Sequence, residues 1–399
     1  MQQWHHARRD RRALAGSSTT RAPRGRMKIA LVSPLYESVP PVLYGGTERV
    51  VSNLADELVA QGHDVTLFAS GDSVTAAQLV PCCDRALRLN AKVYDSLPYH
   101  LMMLDEVRKH ADDFDIIHFH NDLLHMPMLP ALRVPSLTTV HGRLDLPDLR
   151  PFYSRFSDVP LVAISNSQRS QLPMANFVAT IYHGLRPDRM PFCAKPSGGY
   201  LAFLGRISPE KRPDRAIEIA KQTGLPLKIA AKVDRADRGY WEDVIRPMLA
   251  DNLNVEYIGE ISDREKPAFL GNASALLFPI DWPEPFGIAM IEAMACGTPV
   301  LAFRCGSVPE VIDHGVTGYI VDTIEEAVAS MDALLALSRS QVRKRFEERF
   351  TAERMTRSYV EVYRKLMSWS AETDLIPDTA MLVRRPSFKS DRISPRGTL

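Results

Sequence analysis

Apolar residues along the chain follow two alternating spacings. Short runs rich in β-branched residues, typical of buried strands, are separated by longer segments in which apolar positions recur every three or four residues, as on one face of a helix. In the first half, the predicted strands are residues 29–33, 65–69, 116–119, 137–140, 161–165 and 178–182, and the predicted helices are residues 47–61 and 99–111. Nearly continuous apolar strands that alternate with helices indicate a parallel sheet covered on both faces.

The same alternation restarts after a break rich in Pro and Gly at residues 187–199. The predicted strands are then residues 200–204, 227–231, 255–258, 275–279 and 299–302, and the predicted helices are residues 209–222, 240–250, 263–271, 286–296 and 324–337. A chain of 399 residues is also long for one hydrophobic core. We therefore predict an α/β protein with two doubly wound, Rossmann-like domains.

The predicted organisation has six parts. They are a disordered basic extension (residues 1–26), a first domain (27–184), a hinge linker (185–198), a second domain (199–351), a C-terminal helix that crosses the domain junction (352–370) and a disordered tail (371–399). Both ends are polar and hold too few apolar residues to offset the entropy of ordering them.

Composition narrows the functional classes. The formal net charge is +1, which gives no support for a nucleic-acid partner. The five cysteines form no Cys-x-x-Cys pair, as expected in a reducing compartment. No apolar run reaches the roughly 18 residues that span a bilayer, so we expect a cytoplasmic protein whose membrane association is at most peripheral. Neither half has a Gly-x-Gly-x-x-Gly turn after its first strand, so no dinucleotide cofactor is expected.

Two candidate binding segments follow predicted strands of the first half, where ligands of open α/β sheets bind. Gly45 and Gly46 stand at the start of a predicted helix, where a ligand can approach the backbone and unpaired N–H groups attract anions. The alternative is a plain connection with Thr47 as the helix N-cap. His141 could donate to a hydroxyl or to developing phosphate charge, or it could be purely structural.

In the second half, Arg206 and Lys211 flank Pro209, a residue that suits the first turn of a helix. Cations are normally favoured at helix C-termini, so two of them at a helix start suggest that a bound anion balances their charge. An exposed charged loop is the alternative.

Residues 278–297 carry the most specific pattern. An apolar strand ends, a loop holds Glu284 outside helical geometry because Pro285 follows it, and a helix then carries Glu292 among apolar neighbours. A glutamate in such surroundings needs a partner. The backbone N–H groups at the start of that helix, which attract anions, belong to Phe286, Gly287 and Ile288.

Two further patterns are weak. His118 and His120 share one strand face, but two histidines without a carboxylate or Cys at a known spacing are more typical of structural residues than of a metal site. Asp113 and Asp115 form the Asp-x-Asp that a metal-dependent transferase would need, but they precede their strand and lie at the wrong end of the sheet.

Together these segments resemble the retaining glycosyltransferases of family 4, group 1, over residues 27–367. The most specific element is the pair Glu284 and Glu292, eight residues apart, which begins within Pro-Glu-Pro-Phe-Gly (283–287). Cys-Gly-Thr-Pro-Val (296–300) and Gly-Ser-Val-Pro-Glu (306–310) follow it, supported by the 45–46, 141, 206–211 and 181–184 segments. The resemblance implies a GT-B fold, in which two Rossmann-like domains face a central cleft. One departure is Ala-Ala-Lys-Val-Asp at residues 230–234, where relatives often carry glycines.

The resemblance also implies residue roles. Arg206 and Lys211 would bind the donor diphosphate, with the Gly45-Gly46 loop near the phosphates and His141 near the transferred sugar. Glu284 and the backbone amides of residues 286–288 would hold the sugar, and Glu292 would bind the ribose hydroxyls.

The resemblance implies transfer of a hexose with retention and without a metal, from a nucleotide sugar such as UDP-glucose or GDP-mannose, to an acceptor that the sequence does not identify. Two alternatives stay open. One is a nucleotide-sugar epimerase or hydrolase, which would need an acid/base pair. The other is an inactive nucleotide-sugar-binding protein, which would be expected to have lost Arg206, Lys211 or Glu284; all three are present.

Overall fold

The computed structural model describes residues 25–88 and 90–373. The predictions for residues 1–24 and 374–399 lie outside this part of the chain. The first domain holds a seven-stranded sheet, paired as parallel throughout, in the order β3-β2-β1-β4-β5-β6-β7. Its strands are β1 Lys28–Val32, β2 Asp64–Ser70, β3 Gln78–Cys83, β4 Ile116–Phe119, β5 Ser136–Thr139, β6 Leu161–Ala163 and β7 Phe177–Thr180.

Helices cover both faces of this sheet. They are α1 Gly46–Ala60, α2 Leu97–Lys109, α3 Leu149–Arg155 and α4 Asn166–Ser170, with short 3₁₀ turns at Ala111–Asp113 and Met126–Ala131. The central strands read as apolar runs because they are buried on both faces: Ile29, Leu31 and Val32 are fully buried.

The second domain holds a six-stranded parallel sheet in the order β10-β9-β8-β11-β12-β13. Its strands are β8 Leu201–Arg206, β9 Leu227–Lys232, β10 Val255–Gly259, β11 Ala275–Phe278, β12 Val300–Phe303 and β13 Gly318–Val321. Its helices are α5 Pro213–Thr223, α6 Arg238–Tyr240, α7 Arg246–Ala250, α8 Lys266–Asn272, α9 Ile288–Ala295, α10 Val308–Val311, α11 Ile324–Ala329, α12 Met331–Leu335 and α13 Arg339–Arg349, with a 3₁₀ turn at Arg235–Asp237 and a π-helical turn at Trp241–Ile245.

The chain returns to the first domain through its last helix, α14 Ala352–Thr373. The Leu185 N–H donates to the Phe350 carbonyl (2.9 Å), and the Ala352 N–H donates to the Leu185 carbonyl (2.9 Å), so the two connections between the domains run side by side. Apolar residues of α14 pack in the core beneath α1. Tyr359 and Tyr363 are fully buried there, and Tyr363 Oη lies 2.7 Å from His118 Nδ1.

The predicted α/β architecture of two Rossmann-like domains is confirmed, and each predicted strand has a counterpart. Several details were wrong, and the helices α3, α4, α10 and α13 were not predicted. The edge strands β3 and β13 were not predicted. β3 does not form an apolar run in the sequence, because it is only half-buried and contains Pro81. The helix predicted from residue 209 begins at Pro213, after a left-handed Arg212 (φ 53°). The helix predicted at residues 324–337 is the pair α11 and α12.

Candidate functional site

A cavity of about 490 Å³ lies between the two domains, beyond the carboxyl ends of their strands. Segments from both halves of the chain form its wall. All ten predicted site residues line it: Gly45, Gly46, His141, Arg206, Lys211, Glu284, Phe286, Gly287, Ile288 and Glu292. The fold therefore brings together four segments that are distant in sequence.

Glu292 is the most deeply buried acid of the cavity, with 3% of its surface exposed. It has the partners that its apolar surroundings require. Lys266 Nζ lies 3.1 Å and Arg49 Nε 3.5 Å from its Oε1 atom. Burial raises the pKa of Glu292, but Lys266 and Arg49 together outweigh burial and hold that pKa below its ordinary value. Glu292 therefore presents an ionised carboxylate.

Glu284 lies in the loop between β11 and α9 and is also buried. Its carboxylate forms an ion pair with Lys211 and accepts a hydrogen bond from Trp282 Nε1 at 2.9 Å. The Lys211 ammonium also lies 4.9 Å from the centre of the Trp282 ring. The structure thus places Lys211 and Glu284 in contact.

The motif at residues 306–310 supports this loop. Gly306 is left-handed (φ 56°), and a Cβ atom there would collide with the backbone of Glu284. The Ser307 N–H donates to the Glu284 carbonyl (3.0 Å), and Ser307 Oγ donates to the Phe286 carbonyl (2.8 Å). Glu310 accepts hydrogen bonds from the backbone N–H groups of Asn166 and Ser167 in the first domain. The motif was identified from the sequence, but its role in supporting the Glu284 loop was not predicted.

Arg206 ends β8 among three carboxylates: its guanidinium lies 3.5 Å from Glu210, 3.6 Å from Asp234 and 3.9 Å from Asp237. The charge argument made from the sequence was therefore wrong. Lys211 lies in the loop before α5 and not at a helix start, and carboxylates of the protein already balance both cations. Arg206 and Lys211 line the cavity, but their charges do not by themselves require a bound anion.

Two helix N-termini open into the cavity without a side-chain cap. The N-cap of α1 is Gly45, not Thr47 as in the alternative interpretation, and the N-cap of α9 is Gly287, with φ 78°. Neither residue has a side chain that could accept a hydrogen bond, so no N-cap side chain occupies the N–H groups at the start of either helix. Such groups bind anions.

Two histidines, His141 and His183, also line the cavity. His141 Nε2 lies 2.8 Å from His120 Nδ1, and the His141 ring stacks on His183 with 5.3 Å between centroids. Burial lowers the pKa of His141 to about 3, so its ring is neutral. His118 is structural, because its two nitrogens bond to Tyr363 and Thr139.

Several residues at the site were missed from the sequence. Arg49 and Lys266 hold Glu292, and Arg49 also pairs with Asp263 across the domain boundary. His183 lines the cavity beside His141. Neither Arg49 nor Lys266 stands out in the sequence, because charged residues precede each of them in a helical stretch.

The described residues contain neither a metal-binding cluster nor a helix that could span a membrane. Within residues 25–88 and 90–373, no cluster of three or more His, Cys, Asp or Glu side chains is placed to hold a metal ion. None of the helices in the same part of the chain is both long and apolar enough to cross a membrane.

Comparison with known proteins gives two family matches that together cover most of the chain. Residues 44–187 match the model for Glycosyltransferase Family 4, and residues 194–352 match the model for Glycosyl transferases group 1. Among curated relatives, the chain is similar to a phosphatidyl-myo-inositol mannosyltransferase of Mycobacterium leprae. The two are 27% identical over 358 residues, which cover 82% of this chain and 90% of the relative.

Solved structures share the fold. A sucrose-phosphate synthase from Thermosynechococcus elongatus superposes with a TM-score of 0.71 at 20% identity, covering 86% of this chain and 100% of that one. The Anabaena protein HepE, solved in complex with UDP-glucose, superposes with a TM-score of 0.63 at 17% identity, covering 85% of this chain and 100% of that one.

Proposed function

Because the chain belongs to glycosyltransferase family 4, the group 1 glycosyltransferases, we propose that it moves a hexose from a nucleotide-diphosphate sugar to an acceptor hydroxyl, with retention and without a metal ion. Glycosyltransferase activity and the GT-B fold follow from membership and from the superpositions. The donor, the stereochemistry and the independence from metal are the proposed part.

One observation carries the proposal: two uncapped helix N-termini line the same cavity as the cations Arg206 and Lys211 and the buried glutamates Glu284 and Glu292. A diphosphate needs the N–H groups and the cations, because both stabilise negative charge. Sugar and ribose hydroxyls need acceptors, which the carboxylates supply. A nucleotide-diphosphate sugar offers both kinds of group.

In the proposed complex, Arg206 and Lys211 bind the diphosphate together with N–H groups of α1 and α9. Glu292, held ionised by Lys266 and Arg49, accepts from the ribose hydroxyls. Glu284 and the N–H groups of residues 286–288 hold the sugar. Lys211 and Glu284 form an ion pair with each other before the donor binds. When Lys211 binds the phosphate instead, the Glu284 carboxylate becomes available to sugar hydroxyls.

The donor class is supported by the HepE complex with UDP-glucose and by the mannosyltransferase relative. UDP-glucose and GDP-mannose are therefore the first donors to test. The sequence and the fold leave the acceptor open, since acceptor contacts come from loops of the first domain, which vary most among proteins that share a fold.

Retention follows if the diphosphate leaves and the acceptor enters on the same face of the sugar. The leaving phosphate then takes the acceptor proton. Arg206, Lys211 and the N-terminus of α9 stabilise its charge, which is the role that a metal ion has in other transferases. In this proposal Glu284 positions the sugar and forms no covalent bond with it.

A thermal-unfolding screen against UDP-, GDP- and ADP-sugars tests the donor. A ligand present at 100 times its dissociation constant should stabilise the fold by about 2.7 kcal/mol. The free hexoses at the same concentration are the control, and we expect no shift with them. The absence of a shift with every nucleotide sugar would contradict the proposal.

Incubating the stabilising donor without an acceptor separates the alternatives. A transferase should leave it largely unchanged, a hydrolase should release the sugar, and an epimerase should produce a second nucleotide sugar. Activity should also survive a chelator. Complete loss that Mg²⁺ or Mn²⁺ restores would show that a metal is required.

A further inference from the structure

Behind His141 lies a second histidine for which the proposed function has no role. His120 follows β4, has 1% of its surface exposed, and has its Nδ1 atom 2.8 Å from His141 Nε2. The His141 backbone N–H also donates to Asp122 Oδ1 at 3.2 Å. The segment that follows β4 thus holds the His141 ring, through Nε2, and the His141 backbone. The other ring nitrogen of His141, Nδ1, takes no part in these two contacts.

Burial determines which of the two imidazoles donates the hydrogen bond between them. Burial lowers the pKa of His120 and of His141, so both rings are neutral and each carries one N–H. In the described part of the chain, His120 Nε2 is buried and has no hydrogen-bond partner. A proton there would be an unpaired buried N–H, which is rarer in proteins than an unpaired acceptor. The proton of His120 therefore lies on Nδ1, and His120 donates to His141.

We propose that His120 is a positioning residue that holds His141 as its Nδ1–H tautomer, so that His141 acts as a hydrogen-bond donor to an oxygen of the transferred sugar. The inference rests on the proposed function for the identity of that oxygen. An imidazole nitrogen that accepts a hydrogen bond cannot carry the proton. Because His141 Nε2 accepts from His120, the proton of the neutral His141 ring must lie on Nδ1. His118 cannot replace His120 in this role, because both of its nitrogens are already bonded.

The tautomer is measurable without any substrate. In the full chain with ¹⁵N-labelled histidine, long-range ¹H–¹⁵N correlation spectra distinguish Nδ1–H from Nε2–H rings, and His141→Gln assigns the His141 signals. We expect His141 to be the Nδ1–H tautomer in the wild type. A protonated Nε2 in the wild type would overturn the inference, whatever the enzyme transfers.

Two substitutions of His120 separate positioning from packing. His120→Asn keeps an N–H donor near the position of Nδ1, whereas His120→Leu fills the space without a donor. We expect the His141 signals to stay those of Nδ1–H in the Asn variant and to change in the Leu variant. Since general acid–base and donor groups contribute on the order of 10²-fold or more, kcat should fall at least tenfold in the Leu variant and recover largely in the Asn variant, with KM for the donor nearly unchanged.

His125→Leu is the matched control. His125 is also buried and also uses one ring nitrogen, bonding through Nε2 to Thr138 Oγ1 at 2.7 Å, but within the described residues no hydrogen bond or ring contact joins it to His141. We expect a similar loss of melting temperature with unchanged kcat and unchanged His141 signals. If the His125 and His120 Leu variants lost kcat equally, His120 would be merely structural. If the His141 tautomer changed as expected while kcat did not, the role of His141 as a hydrogen-bond donor to the transferred sugar would fail and the hydrogen-bond assignment would stand.

Discussion

At the level of single residues, the cavity cations Arg206 and Lys211 already have carboxylate partners, so binding a diphosphate means exchanging those partners for phosphate oxygens. Arg206→Ala and Lys211→Ala each remove one charge-assisted bond to the donor, worth about 1.5 to 3 kcal/mol. We therefore expect kcat/KM for the donor to fall by about ten- to a hundredfold in each variant. Arg304→Ala is the control, since Arg304 is exposed, pairs with Asp322 and does not line the cavity. Wild-type kinetics in Arg206→Ala and Lys211→Ala would show that the two cations are only structural.

Glu48, in the first turn of α1, gives a prediction about pH. Burial, opposed by hydrogen bonds from the backbone, raises its pKa from 4.5 to about 7. Because the pKa is raised in the folded state, the contribution of Glu48 to stability is fully present below pH 4.5 and is lost as the pH rises through about 7. A pKa difference of one corresponds to about 1.4 kcal/mol, so ionising Glu48 in the fold costs roughly 3 kcal/mol.

Glu48→Gln removes this ionisation. We expect its free energy of unfolding, relative to the wild type, to increase from pH 5 to pH 8.5 by up to about 3 kcal/mol. Denaturant unfolding of both proteins at each pH measures the difference. Glu57→Gln, at a half-buried position of the same helix outside the cavity, controls for the substitution itself. A difference between Glu48→Gln and the wild type that stays constant with pH would contradict the account.

At the level of elements, the loop between β11 and α9 depends on a support from the loop after β12. Gly306→Ala forces a Cβ atom against the Glu284 backbone and so moves the Glu284 carboxylate. A displacement of about 1 Å near a reacting centre can cost up to a hundredfold in rate, and we expect kcat to fall at least tenfold.

Gly224→Ala is the matched control for this variant. Gly224 has a similar left-handed backbone (φ 68°), but a Cβ atom there meets no other atom within 4 Å. Strain at a left-handed residue costs about 1 to 2 kcal/mol in either protein. Thermal measurements should therefore show a loss of stability in both variants, larger in Gly306→Ala because its Cβ atom also meets the Glu284 backbone. Kinetic measurements should show that only Gly306→Ala loses activity. Equal activity in the two variants would show that the support is unnecessary.

The same elements show what the sequence could and could not predict. Buried central strands were predictable because they read as apolar runs, and the site was predictable where residues follow such strands, as His141 and Arg206 do. The edge strand β3 lacks that signal because it is only half-buried. The partners of Glu292 could not be predicted, because Arg49 comes from the other domain and Lys266 from a different helix. The balance of charge around Arg206 likewise depends on Asp234 and Asp237, whose positions only the fold reveals.

At the level of the whole molecule, polar contacts join the domains around the cavity. Arg49 pairs with Asp263 and Glu292, and Arg143 Nη1 lies 2.6 Å from Glu210 Oε1. Polar interfaces between domains allow relative motion more readily than large apolar ones. Glu292, which the proposed donor would bind, is also a partner of Arg49 in the other domain. Donor binding would therefore alter the ion pairs that join the two domains.

The anomeric configuration of the product tests the central claim most directly. The donor identified by the unfolding screen, in its α-linked form, is incubated with a panel of hydroxyl acceptors, and the one-bond carbon–proton coupling at the anomeric centre of the product is measured by NMR. Departure of the diphosphate and entry of the acceptor on one face predict an α-linked product. A β-linked product would contradict the account, as would a covalent sugar adduct on Glu284 detected by mass spectrometry.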